Sequence, residues 1–214
     1  MARTLRDKAI DQFLTLYLIN DVFSRKNLSL LPSTKLQKLV FLSEKTMIDK
    51  REKGFNFYFI KLVHGPFSPE LENDISKLIQ DGFINDLELR PTNNTRLILE
   101  DFQSVIDRNQ TFLAKINRVN DTFARMSLQK LLSVIYSMPW GRGRGRTIAD
   151  LPQRTPMLYP MKPEIVATEF EITENEAEDL LMNFDPEAIK DLSQAMKDAR
   201  EGKWRTYEQV FSDL

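Results

Sequence analysis

The sequence predicts a mainly α-helical protein with a small antiparallel sheet: a winged-helix-like body followed by a helical C-terminal tail. Three observations predict it. Apolar residues recur at helical spacing through most of the first 138 residues. One run, Phe55 to Val63, is instead dense in aromatic and β-branched residues. Four prolines between 150 and 163 then separate this body from a tail of short amphipathic segments.

In chain order, residues 7–23 place Ile10, Phe13, Leu14, Tyr17, Leu18 and Val22 on one helical stripe. Ser33 reads as the N-cap of a second helix that turns Leu36, Leu39, Val40 and Met47 inward. Phe55 to Val63 reads as a strand, apolar on both faces and so largely buried. His64-Gly65-Pro66 turns the chain into Ser68-Pro69-Glu70, where a capping serine, an N1 proline and an acid at the positive dipole end open a third helix. Leu71, Ile75, Leu78 and Ile79 face inward, and Gly82 ends that helix in left-handed conformation with Phe83 folding back on it.

Two short strands, 86–90 and 95–100, read as a hairpin around the turn-rich 91–94. Phe102, Val105, Ile106, Leu113, Ile116, Val119 and Phe123 mark one long helix, and Ser127 caps a shorter one. This body spans 1–138. Residues 139–163, with their Arg/Gly run and prolines, read as a loop and linker. The remaining 164–214 offer a strand over 164–172, a Thr173/Glu176 capping box, a helix opened at Asp185-Pro186-Glu187, and a last turn capped by Thr206. Helices this short are marginal alone in water and need the body or a partner to lie on.

Composition excludes several functions. The chain has no cysteine, which removes disulfides, thiolate metal sites and cysteine nucleophiles. Its N-terminus is too charged for a signal peptide, and no apolar run approaches the roughly 20 residues of a membrane span. A cytoplasmic protein without a membrane partner is expected. The net charge of −1 hides an asymmetry: residues 1–150 carry 23 basic and 17 acidic residues, and 151–214 carry 7 and 14. A basic body thus precedes an acidic tail.

His64 is the single histidine. As a general base it would need a nucleophile or acid nearby, and no such motif accompanies it. A turn residue between strand and helix is the simpler reading. Arg142, Arg144 and Arg146 in the Gly-rich run are either phosphate contacts for a nucleic acid or a solvated loop. Lys35, Lys38 and Lys45 share a face of the second helix that either meets an acidic partner or is plain solvated surface; Glu44 and Asp49 interrupt it and favour the solvated reading. The helix before the predicted hairpin is the one a winged helix inserts into DNA. Here it carries Glu70, Glu72, Asp74 and Asp81 against Lys77 alone, a charge that phosphates would repel.

The stretch from Lys35-Leu36-Gln37-Lys38-Leu39 through His64-Gly65-Pro66 to Ile84 resembles the Panacea, or SocA-like, antitoxin domain of phage-associated proteins. The resemblance covers about half the chain. It implies a non-enzymatic antitoxin that neutralises a cognate protein toxin by direct binding, or an adaptor that delivers the toxin to a protease. No cofactor, metal or small-molecule substrate is expected. The acidic C-terminal segment would lie on a basic toxin, ordering as it binds. Leu181, Phe184, Ile189, Leu192, Met196, Trp204, Tyr207 and Phe211 would be its apolar anchors, with Trp204 and Tyr207 as hot spots. The same residues would otherwise pack on the protein's own body. The apolar strand at 55–63 offers a homodimer surface. The rival readings are a DNA-binding winged-helix transcriptional regulator and a hydrolase or transferase built on His64.

Overall fold

The computed structural model describes residues 3–26, 28–141 and 145–185, with four further positions between 194 and 200. At its centre lies α1 (Leu5–Lys26). The predicted stripe is buried, with Tyr17 half-buried, but so are Ala9, Leu16 and Ile19 and the polar Asp11, Gln12 and Thr15. A helix buried nearly all round is one that neighbours cover on several sides. Here these are α2 (Ser33–Ile48), α4 (Asn93–Asp101), α6 (Gln110–Phe123) and α8 (Glu174–Asn183).

Ser33 is the first residue of α2 and not its cap. Pro32 takes the cap position and no side chain caps the helix. The Ser33 hydroxyl donates instead to Glu72 Oε2 at 3.0 Å. After α2 comes β1 (Glu52–Lys53), then an irregular segment over 54–58, then β2 (Phe59–Leu62). The expected strand over 55–63 is therefore a ladder in its second half only. In the first half side chains replace a partner strand: Asn56 N donates to Asp11 Oδ1 at 2.8 Å and Tyr58 N to Glu70 Oε2 at 3.0 Å. Phe55, Phe57 and Phe59 are buried in the chain's own core, which removes them as a dimer surface.

The hairpin turns at Val63-His64 into β3 (Gly65–Phe67), with Leu62 opposite Gly65 and Ile60 opposite Phe67. Gly65 has φ +88°, which favours glycine at the exit of the turn. Next is α3 (Pro69–Gln80), opened as predicted: Ser68 Oγ accepts from Leu71 N and Pro69 is at the helix start. Gly82 at φ +77° and the bond from Phe83 N to Leu78 O close it with the expected reversal.

The predicted second hairpin does not form. Residues 95–100 belong to α4, and 84 and 91 meet in a single bridge. Thr95, Ile98, Leu99 and Phe102 are buried at helical spacing, so the side the core needed was a helical one. The antiparallel pairing lies before α3 rather than after it. The expected long helix is broken into α5 (Gln103–Arg108) and α6 at Asn109. α7 (Leu128–Ser137) follows, capped by Ser127 as predicted.

Residues 139–163 are not a free linker. They supply β4 (Pro156–Leu158), which pairs antiparallel with β2 and completes a sheet of order β3-β2-β4. Pro156 lies on an edge strand, where a missing N–H is tolerated. Lys61 Nζ fastens the preceding turn through Ala149 O at 2.7 Å and Leu151 O.

The start of the tail is also part of the body. β5 (Thr168–Glu169) pairs parallel with β1, and α8 carries the predicted Thr173/Glu176 capping box. Phe170, Ile172, Ala177, Leu180 and Phe184 enter the single core. Asn109 pays out its carboxamide to one tail residue: Nδ2 donates to Glu171 O at 2.8 Å and Glu171 N donates to Oδ1 at 2.7 Å. Arg108 adds paired bonds to Glu176 at 2.7 Å. Among the described residues, no helix is long and apolar enough to cross a membrane.

Candidate functional site

Gln37 holds α2 to the N-cap of α3. Its Nε2 donates to Ser68 O at 3.1 Å, and Ser68 N donates to its Oε1 at 2.9 Å. A carboxamide thus serves both backbone groups of one residue, as a neighbouring strand would. The same Nε2 reaches Glu72 Oε2 at 3.2 Å.

Lys38 occupies the next position and lies against Gly65. A Cβ there would stand 3.2 Å from Lys38 Cε and 2.8 Å from Leu132 Cδ2. The glycine is needed both for its φ and for the space that Lys38 and Leu132 fill. Lys38 is 2% exposed and makes no hydrogen bond or ion pair among the described residues. Burial pulls its ammonium down to about 8, with Glu72 opposing that shift from a distance.

These residues surround an open cleft of about 660 Å³. One wall is the first two turns of α2, Ser33, Thr34, Gln37 and Lys38. The hairpin supplies Leu62, Val63, His64, Gly65 and Phe67, and Glu72, Gln153 and Arg154 complete the lining. Arg154 is exposed and holds a left-handed φ of +64°, uncommon for a non-glycine residue. Its N–H donates to Lys61 O at 2.7 Å, which fixes it on the sheet.

Both halves of the sequence motif meet here. Gln37, Lys38, His64 and Gly65 line the cleft, Leu36 and Leu39 point into the core, and Pro66 lies on β3. Lys35 and Lys38 are not the solvated face expected of them. Lys35 is buried and donates to Ala124 O, the carbonyl at the C-terminal end of α6, where a cation complements the helix dipole. His64 is exposed at a turn, but the turn joins two strands, β2 and β3, rather than leading directly from strand to helix.

Other expected site residues lie elsewhere. Phe184 is fully buried and meets Phe83 edge-on at 5.2 Å, so it is a core residue and not a partner anchor. Leu181 packs half-buried on the same core. Ile189, Leu192, Met196, Trp204, Tyr207 and Phe211 lie outside the described residues, as do Arg142 and Arg144. Arg146 is exposed, and its carbonyl accepts from Trp140 N at 2.9 Å. Glu72 and Arg154 escaped the sequence reading. Glu72 was legible only as part of an acidic helix, and the position of Arg154 depends on β4, which the prolines conceal.

No family model, no curated protein and no solved structure matches the chain.

Proposed function

We propose that the protein is an antitoxin that neutralises a protein toxin by binding it. The observation that carries this reading is the meeting of the two motif halves around one open cleft, lined by a largely buried lysine that makes no hydrogen bond or ion pair among the described residues. Two sequence segments about 25 residues apart need not share a surface for packing alone. A buried cation with no partner costs stability, and such costs concentrate at functional positions. The Panacea/SocA-like resemblance supplies the antitoxin reading, and the cleft supplies a surface on which it can act.

The described part of the acidic tail supports this reading less than the body does, because residues 168–185 are used up in cis. A winged-helix regulator has weaker support. Glu70 and Glu72 stand in the first turn of α3, Asp74 is bound by Arg3 at 2.6 Å, and α4 replaces the expected wing.

Growth rescue tests the antitoxin reading. Any small basic protein found encoded beside this chain is induced alone and together with it. Growth arrest relieved by co-expression, with the two proteins copurifying, is the expected result. Arrest that persists at equal expression overturns the reading.

A further inference from the structure

We propose that the cleft between the first turns of α2 and the β2–β3 hairpin is a carboxylate-binding site, which receives an acidic side chain of the protein partner with an apolar residue beside it. The inference rests on the partner-binding reading and names the chemistry of that contact.

Four features converge. Lys38 is nine-tenths buried or more, lines the cleft, and has no hydrogen bond or ion pair among the described residues. Arg154 lines the same cleft, exposed and equally without an ion pair among the described residues. Ser33 and Thr34 bring the positive end of α2, a 16-residue helix that no side chain caps. Leu62, Phe67 and the 71% exposed Val63 offer an apolar bed beside these charges.

The one carboxylate in the lining, Glu72, does not quench the site. Its Oε2 accepts from Ser33 and Gln37, and it forms no ion pair with Lys38. Two cations against one carboxylate leave a single net positive charge, which matches a monovalent carboxylate better than a dianionic phosphate. The volume suits a short peptide segment. Pro66 denies β3 an N–H, so recognition proceeds through side chains rather than through an added strand.

The probes are acetyl-LEL-amide and acetyl-LQL-amide, titrated against the full chain. The glutamyl peptide is expected to bind about tenfold or more tightly than its glutaminyl counterpart, a difference of the order of one charge-assisted hydrogen bond. Lys38→Met abolishes that preference, and its raised melting temperature shows that the fold is intact. Arg154→Gly, which suits the left-handed backbone, reduces it. Equal affinity for the two peptides, no binding of either at millimolar concentration, or tighter binding of inorganic phosphate overturns the proposal. Growth rescue separates the two levels. If the wild-type chain rescues and Lys38→Met rescues equally, the carboxylate site fails and the antitoxin reading stands. If the wild-type chain does not rescue, the antitoxin reading fails, and the peptide preference alone decides the site.

Discussion

Lys38 and Gln37 are neighbours in sequence with opposite consequences for stability. Gln37 satisfies a buried backbone N–H and C=O, so Gln37→Leu leaves both unpaired and should cost about 2–4 kcal/mol in chemical denaturation. Lys38 has no partner to lose among the described residues, so Lys38→Met should stabilise by about 1–2 kcal/mol. The pH dependence follows from its sign. The folded-state value is lowered to about 8 from an ordinary 10.5, so above pH 8 the unfolded chain binds more protons than the folded one. Stability attributable to Lys38 therefore rises with pH across that window. The gap between wild type and Lys38→Met, followed by denaturation at several pH values, should narrow from pH 7 to pH 10. A constant gap would contradict the buried-ammonium account.

Elements whose cap or period was unambiguous were legible in the sequence. α3 has a serine cap, an N1 proline and a C-terminal glycine, and α8 has a reciprocal capping box; each local rule agreed with the tertiary fold. What stayed hidden depended on distant side chains. The 54–58 segment joins no ladder and bonds to carboxylates from α1 and α3, which no strand pattern encodes. Residues 95–100 hold only a short apolar run, Leu97-Ile98-Leu99, and a run that short cannot decide between strand and helix. Asn109 breaks a helix because its carboxamide is needed by Glu171, 62 residues away. Asn109→Leu should therefore destabilise by about 2–3 kcal/mol and raise hydrogen exchange at Glu171 selectively.

For the whole molecule, the division into body and tail moves towards the C-terminus. A body confined to 1–138, as the sequence predicts, would stay folded on removal of 164–214. The structure predicts loss of the fold, since Phe170, Ile172, Leu180 and Phe184 leave one shared core. Phe184→Ala alone should cost about 3–5 kcal/mol in thermal or chemical denaturation. Half of the candidate site was present in the sequence as a motif. The other half, Glu72 and Arg154, depended on how α3 and β4 close the cleft.

The most direct measurement is an NMR titration of the Lys38 side chain in the full chain, alone and saturated with acetyl-LEL-amide. A carboxylate seated beside the ammonium must favour its charged form. The account predicts a value near 8 in the free chain that moves up towards 10.5 on binding. An ordinary value in the free chain, or one unmoved by saturating peptide, would contradict it.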